Sequence, residues 1–455
     1  MISTSLLSIM RVKRRHLLAF SVLILATLSS LAQVPRRKAI VGAQGKEVAT
    51  GIQLDTVFRN STFSAAGLQK GDIIIAVNDK QTKTQQDYQK ATSNIRTGEI
   101  IKIQYFHNET AFVKSIAAVE KPKEISATED IIYDWVPFRK GHLRVITRKP
   151  RGKNSMPAIL MISGYNCGSI ENYSRSYNGP LMAEWNKAGF TVVTIEKSGV
   201  GDSEGCAPCT EVDLATDIES FDAGYRYMEQ LPFVDKTRLF IWGHSMGGTI
   251  APEVAKRHSP KGVMVFASVF RPWNEFLLEM HRVQKPLIEN LTYQQTEKFV
   301  REIQPVYSAF FNEKKTPKEI IESEKYSAEA KQELGYKRGS NDLWGRHWRF
   351  WQQLDSINLA ESWQQVNCHV LIIHGGADYE QCSSVEPMLT QKTVNEAHAN
   401  TATLVTIPDL DHFMMKSADW NAAARNFREQ QYLKGNFNYS IVEETLKWMN
   451  GLYRH

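Results

Sequence analysis

The chain of 455 residues is long enough for two or three domains with cores of their own. Hydrophobic residues make up 42% and charged residues 23%, a balance that excludes a disordered or low-complexity protein. The formal net charge of +6 falls to +2 without residues 1–32, because that segment holds four Lys/Arg and no Asp/Glu. This nearly neutral remainder gives no reason to expect nucleic-acid binding.

Residues 1–32 have the order of features that marks an export signal. A basic cluster precedes an apolar run at residues 17–28, and small residues follow at 29–32. This order is typical of a secretory signal peptide, and the apolar run is short for a membrane span. We expect a periplasmic or secreted protein, cleaved before Gln33 and without a membrane span after cleavage. An uncleaved membrane anchor is the alternative.

Residues 37–120 predict a small β-rich domain. Apolar and polar residues alternate at 52–57, and residues 73–77 are a short apolar strand. Residues 84–93 predict a short helix, and residues 100–106 another strand.

The segment AGLQKGDIIIAVN at residues 66–78 resembles the core of protease-type PDZ domains. The resemblance implies that a peptide C-terminus binds as an added strand, its carboxylate held by backbone N–H groups at Val41, Gly42 and Ala43. The alternative is a PDZ fold used only for docking or dimerisation.

A charged, proline-containing linker at residues 121–130 precedes a second block, 131–455. Short apolar runs alternate there with helical segments. The runs are residues 158–162, 191–195, 238–242, 263–268, 369–373 and 403–407. This pattern predicts an α/β fold with a mainly parallel sheet. Between residues 270 and 365 the short apolar runs stop, and the segment is helical and rich in tryptophan. We expect this segment to be a helical lid insertion.

The strongest chemical signal is GHSMG at residues 243–247, between an apolar strand and a helix. A serine on such a turn is exposed, and the helix N-terminus favours negative charge nearby. We therefore expect Ser245 to be a nucleophile. The alternative is a tight glycine turn with an inert serine.

A serine hydroxyl becomes a good nucleophile only when a base takes its proton. Where the serine lies on a strand-to-helix turn of the GxSxG type, the acid and then the histidine follow it along the chain. We expect His412 to be the base and Asp378 the acid. His412 follows a strand and a turn, whereas His398 lies in a polar helix and His455 is the last residue. Asp378 follows the apolar run and glycine turn at residues 370–376, where a carboxylate can hold the histidine tautomer. The competing carboxylates are Glu380, Asp409 and Asp411.

An oxyanion hole needs two N–H donors. We expect one from Met246, directly after the serine, and one from Tyr165, in the turn after the strand at 158–162.

The second block resembles the α/β-hydrolase superfamily, in the branch of S33 serine aminopeptidases and bacterial periplasmic esterases. The carrying motifs are EKSGVGDSEG at 196–205, GHSMGG at 243–248, HGGAD at 374–378 and DHF at 411–413. The resemblance covers about 300 residues and implies acyl transfer by a Ser-His-Asp triad, without a cofactor.

Three functions follow from this resemblance. The first is hydrolysis of carboxylic esters, with a small-molecule ester as substrate. The second is hydrolysis of peptides or amides, as by an aminopeptidase. The third is a non-enzymatic adaptor, in which a PDZ domain is joined to an inactive hydrolase fold.

Five cysteines fit an oxidising compartment. Cys167 and Cys209 lie in two loops that we expect to meet near the active site, so they are the first candidates for a disulfide. No HExxH motif or second CxxC occurs, and we expect no metal.

Overall fold

The computed structural model describes residues 35–172, 175–337, 339–430 and 435–453. The predicted signal peptide and His455 lie outside these residues. The chain divides into two compact units between Glu120 and Lys121. Each unit has its own hydrophobic core.

The first unit is a six-stranded sheet with two short helices. Its elements are β1 (Ala43–Val48), β2 (Gly51–Val57), α1 (Thr62–Ala65), β3 (Ile73–Val77), β4 (Lys80–Gln81), α2 (Gln85–Thr92), β5 (Ile100–His107) and β6 (Thr110–Ala117). The strands pair antiparallel in the order β1-β2-β3-β5-β6, with β4 on β3. Helix α2 begins where it does because Thr84 and Asp87 form a capping box.

The second unit is built on an eight-stranded sheet. Its strands are β7 (Glu129–Phe138), β8 (Gly141–Pro150), β9 (Met156–Ile162), β10 (Thr191–Ile195), β11 (Val234–His244), β12 (Gly262–Phe266), β15 (His369–Gly375) and β16 (Ala402–Ile407). A separate hairpin is formed by β13 (Asp342–Leu343) and β14 (Arg346–His347). The sheet order is β16-β15-β12-β11-β9-β10-β8-β7, parallel except where β8 pairs with β10 and with β7.

Helices cover both faces of this sheet. They are α3 (Gly179–Lys187), α4 (Leu214–Gln230), α5 (Met246–Ala255), α6 (Trp273–Glu289), α7 (Tyr293–Tyr307), α8 (Pro317–Glu322), α9 (Ala328–Glu333), α10 (Trp348–Ser356), α11 (Leu359–Gln364), α12 (Val385–Ala397), α13 (Trp420–Arg428) and α14 (Ser440–Gly451). Helices α6 to α11 and the β13–β14 hairpin lie within residues 270–365, so the predicted helical insertion also contains a hairpin.

The apolar run in β9 reflects burial on both faces. Leu160 and Ile162 pack in the cluster that includes α4 and α5, whereas Ile159 and Met161 pack in the cluster that includes α3 and α14. Each side chain is at least 96% buried, which stabilises the fold by about 2 kcal/mol per residue. A strand buried on both faces has no polar positions, as the sequence pattern predicts.

Among the described residues, no helix is both long enough and apolar enough to cross a membrane.

Candidate active site

Ser245 lies at the sharp turn between β11 and α5. Its backbone has φ 56° and ψ −127°, an uncommon conformation that costs a non-glycine residue about 1–3 kcal/mol. The Ser245 N–H donates to the carbonyl of Phe266 at 2.9 Å, which helps the neighbouring strand to hold the turn. The turn leaves Ser245 half-buried at a cavity, between neighbours that are buried.

Two glycines make this turn sterically feasible. A Cβ on Gly243 would lie 2.4 Å from the carbonyl oxygen of Gly247, and a Cβ on Gly247 would lie 2.1 Å from that of Ile162. Both distances are far below van der Waals contact. The glycines of the motif therefore allow α5 to approach the ends of β9 and β11 closely.

The half-buried His412 pairs with the fully buried Asp378. His412 Nδ1 lies 3.1 Å from each carboxylate oxygen of Asp378. The N–H groups of Glu380 and Gln381 donate to Asp378 Oδ1 at 2.9 Å. Burial alone would raise the pKa of Asp378, but His412 and these donors lower it. Burial alone would lower the pKa of His412, but Asp378 raises it to about 9.

Ser245 and His412 line the same cavity. Because His412 Nδ1 faces Asp378, the other ring nitrogen, Nε2, is the one left for proton exchange. Within the described residues, no hydrogen bond joins the Ser245 hydroxyl to His412. Such bonds are often long in hydrolases without substrate and tighten when substrate binds.

His244 is a site residue that the sequence analysis missed. Its Nε2 donates to the backbone carbonyl of His412 at 2.9 Å, and its ring stacks on Phe266 with centroids 5.2 Å apart. Burial, assisted by the positive potential of His412, lowers the pKa of His244 to about 3. His244 is therefore a neutral hydrogen-bond donor that ties the strand before Ser245 to the loop carrying His412. Its position inside the GxSxG motif was the only sequence signal.

The cavity has a volume of about 480 Å³ and is rich in aromatic side chains. Its aromatic lining comprises Tyr165, Tyr177, Trp273, Phe276, Tyr307, Trp344, Trp351, Phe413 and Phe427. Seven of these lie in residues 270–365 or after His412, so late parts of the chain shape the cavity. Two carboxylates, Glu333 and Glu380, also line it.

The turn after β9 reaches Ser245. Gly164, Tyr165 and Asn166 line the cavity, and a Cβ on Gly164 would lie 3.9 Å from the Cβ of Ser245. In the described part of the chain, neither the N–H of Tyr165 nor that of Met246 has a protein acceptor. The role of these two N–H groups as oxyanion donors stays a prediction.

The competing residues have other contacts. His398 Nε2 donates to a carbonyl of α11 at 3.1 Å. Asp411 accepts the N–H groups of Phe413 and Met415 and so shapes the loop that carries His412. Asp409 accepts an asparagine side-chain amide at 2.9 Å. Of the three competing carboxylates, Glu380 lines the cavity.

Cys167 and Cys209 form a disulfide that joins the turn after β9 to the segment before α4. Cys206, Cys368 and Cys382 are free thiols. Over the residues that the structure describes, no cluster of three or more His, Cys, Asp or Glu side chains could hold a metal ion.

In the first unit, the segment at Val41, Gly42 and Ala43 precedes and enters β1. The carbonyls of Val41 and Gly42 accept the N–H groups of Phe63 and Phe58, at 3.0 and 2.8 Å. In a trans peptide, the next N–H points opposite to the carbonyl. The N–H groups of Gly42 and Ala43 therefore point away from α1 and from the end of β2.

Curated relatives match part of the chain. Esterase EstD of Thermotoga maritima is 19% identical over 318 residues, which cover 66% of this chain and 63% of the relative. Polyketide transferase ATR5 of Stachybotrys chlorohalonatus is 30% identical over 98 residues, 21% of this chain and 30% of the relative. The chain thus spans less than two thirds of the length of each.

Solved structures also match. A DcsB complex with a substrate analogue is 16% identical, with a TM-score of 0.44, over 72% of this chain and 100% of that chain. Est1E from Butyrivibrio proteoclasticus is 16% identical, with a TM-score of 0.40, over 66% of this chain and 98% of that chain. At these values neither structure informs on the substrate of this chain.

Two family models match. The PDZ domain model matches residues 39–113. The model described as serine aminopeptidase, S33, matches residues 158–419, more than half of the chain, and includes Ser245, Asp378 and His412. The chain has an α/β-hydrolase fold preceded by a PDZ domain, and it belongs to the S33 serine aminopeptidase family of hydrolases.

Proposed function

We propose that the protein is an exported serine hydrolase that cleaves carboxylic esters through an acyl-enzyme. The observation that carries the proposal is the His412–Asp378 pair lining the same cavity as Ser245. A hydroxyl on a strained turn, a histidine held by a carboxylate and two unpaired N–H groups are the parts that acyl transfer needs.

In the proposed mechanism, Ser245 Oγ attacks the ester carbonyl while His412 Nε2 takes the hydroxyl proton. Asp378 holds the Nδ1 proton and stabilises the imidazolium. The N–H groups of Tyr165 and Met246 donate to the developing oxyanion. His412 then protonates the leaving alcohol, and water attacks the acyl-enzyme by the same route in reverse.

The cavity favours an ester with an apolar or aromatic group. Its lining is rich in aromatic side chains, which offer large apolar contact areas and stacking faces. We therefore expect rates to rise with acyl chain length until the cavity of about 480 Å³ is filled.

Amide hydrolysis of the aminopeptidase type is the second candidate, and one observation favours it. An aminopeptidase needs a carboxylate to bind the substrate ammonium, and Glu333 and Glu380 both line the cavity. Glu333, however, already pairs with Lys285 at 3.5 Å, which weakens its charge toward a ligand. Glu380 is therefore the better anchor for an ammonium group.

The test begins with labelling by a fluorophosphonate. We expect the wild type to be labelled and Ser245→Ala not to be. Absence of labelling, or equal labelling of the variant, would favour the adaptor hypothesis. Rates are then compared on acyl esters of varied length, acyl thioesters and aminoacyl amides. A preference for the amides that is lost in Glu380→Gln would replace ester hydrolysis by the second candidate.

Export is proposed from the leader pattern and is supported by the disulfide between Cys167 and Cys209. Expression of the full chain in a bacterial host should give a periplasmic or secreted product that begins at Gln33. Recovery of the intact N-terminus in the membrane fraction would favour an uncleaved anchor instead.

A further inference from the structure

Buried cations bind the carbonyl oxygens of the turn that follows β9. Lys197 Nζ donates to the carbonyls of Gly164 and Asn166, the latter at 3.0 Å. Arg346 Nη1 donates to the carbonyl of Tyr165, between them, at 2.8 Å. Three consecutive carbonyls thus bind positively charged groups.

These cations are held by one carboxylate. Asp217 of α4 lies 2.8 Å from Arg346 Nη1 and 3.7 Å from Lys197 Nζ. The side chains of Asp217 and Arg346 are fully buried, and that of Lys197 is 3% exposed. Burial lowers the pKa of Lys197 to about 8, against the opposing effect of Asp217, so the amine is still charged at neutral pH.

The direction of each carbonyl fixes the direction of the next N–H, because the trans peptide unit is planar. With the Gly164 carbonyl turned toward Lys197, the N–H of Tyr165 points the opposite way. Gly164 and Tyr165 both line the cavity, so the side of this peptide away from Lys197 is the cavity side. A flip of this peptide would break the bond to Lys197 and turn a carbonyl oxygen toward the developing oxyanion.

A buried cluster of two cations and one carboxylate is not expected to stabilise the fold more than apolar residues would. Buried ion pairs cost desolvation, and well-packed apolar residues of similar size are often equally stable. Two cations and one carboxylate leave one excess positive charge behind the turn. In a low-dielectric interior this charge favours the negative charge that develops on the other side of the Gly164–Tyr165 peptide.

We propose that Lys197 and Arg346, bridged by Asp217, are positioning residues that hold the oxyanion-binding turn at residues 163–167 in its productive orientation. The inference rests on the proposed acyl transfer at Ser245. Arg346 belongs to the β13–β14 hairpin of the 270–365 insertion. This insertion therefore lines the cavity and also holds the oxyanion-binding turn.

The test compares Lys197→Met and Arg346→Met with the wild type. Removing an oxyanion donor outright costs about 100–1,000-fold in kcat, so its misorientation should lower kcat by roughly 10–100-fold with KM nearly unchanged. Affinity for an alkylboronic acid, which forms a tetrahedral adduct with Ser245, should fall by a similar factor. Affinity for the carboxylic acid product should change by less than about threefold.

Arg148→Met is the matched control. Arg148 is 3% exposed and pairs with Glu129 at 2.6 Å, but it does not line the cavity. This variant removes a buried cation far along β8 and should lower thermal stability with kcat within about threefold of wild type. Arg346→Lys, which keeps one donor for Tyr165 or Asp217, should recover part of the kcat lost in Arg346→Met.

If a methionine variant does not fold, Lys197→Gln replaces it. The shorter amide of glutamine reaches one carbonyl at most, so the same loss of kcat is expected. A kcat no lower than that of Arg148→Met, or a loss confined to KM, would overturn the proposal while ester hydrolysis stood. A wild type that neither hydrolyses esters nor reacts with a fluorophosphonate would instead overturn the proposed function.

Discussion

The Asp378 carboxylate sets the pH at which His412 can accept a proton. It raises the pKa of His412 to about 9, against the effect of burial. A general base must be neutral, so activity increases as the pH rises through this pKa. We expect kcat/KM on a neutral ester to rise continuously between pH 6 and about pH 9, measured in buffers of constant ionic strength. A profile that is flat or falling over that range would contradict the assignment.

Replacing Asp378 by asparagine should impair catalysis strongly. The amide cannot hold the Nδ1 proton or stabilise the imidazolium, so kcat should fall by roughly 10,000-fold, as in comparable triads. The loss of the carboxylate should also move the rising limb of the pH profile to lower pH. Asp409→Asn is the matched control, since Asp409 is a nearby carboxylate that does not line the cavity, and it should retain kcat on neutral esters. Equal losses in both variants would argue against the special role of Asp378.

Single residues differ in how far the sequence could predict them. Ser245, Asp378 and His412 each follow an apolar run, and parallel strands bring their ends to one edge of the sheet. His244 and Lys197 act instead on backbone carbonyls of loops that are distant in sequence. No local sequence pattern predicts a contact with a main-chain oxygen, so the roles of His244 and Lys197 could be identified only from the structure.

At the scale of elements, the disulfide between Cys167 and Cys209 closes a loop over 42 residues and anchors the turn that carries Tyr165. Cys167→Ser/Cys209→Ser should lose roughly 2–4 kcal/mol of stability, measured by urea unfolding, because the unfolded chain gains freedom. The double variant should also lose activity below its melting temperature, because the turn is less fixed. Cys368→Ala, which removes a free thiol, should keep its activity. Full activity in the double variant would show that the other contacts suffice to hold the turn.

The segment entering β1 should bind a free peptide carboxylate. The N–H of Gly42 points away from α1 and that of Ala43 points away from the end of β2, so neither donates to these elements. Peptides with a free C-terminus should therefore bind the full chain at least about tenfold more tightly than the same peptides with a C-terminal amide, measured by fluorescence anisotropy. Equal affinity for both forms, or no binding of either, would favour a docking or dimerising role for this domain.

In the second unit, strands that are continuous apolar runs could be predicted from the sequence. Strands that charged residues interrupt could not. The strands β9, β12, β15 and β16 appeared as apolar runs. The antiparallel strands β7 and β8 were not predicted, because charged residues interrupt their apolar pattern. Two of these charged residues, Arg144 and Arg148, are buried and form ion pairs. The β13–β14 hairpin, with two residues in each strand, is too short for any periodicity, although it supplies Arg346.

At the scale of the whole molecule, the candidate active site uses one unit of the chain. Its cavity-lining residues run from Gly164 to Phe427, and the second compact unit spans Lys121 to His455. The domain boundaries 37–120 for the PDZ domain and 131–455 for the hydrolase domain stay a prediction. Since no described residue of the first unit lines this cavity, the hydrolase should not require the PDZ domain for chemistry on a small ester.

A chain that begins at Lys121 tests this independence. We expect it to fold and to hydrolyse a short-chain p-nitrophenyl ester with kcat/KM within about threefold of the full chain, because the residues that would touch the ester are all retained. Ser245→Ala in the shortened chain is the control and should abolish the activity. A folded fragment with more than a tenfold loss would show that the PDZ domain completes or orders the active site. Activity retained on small esters but lost on larger acyl substrates would instead assign the PDZ domain to substrate capture.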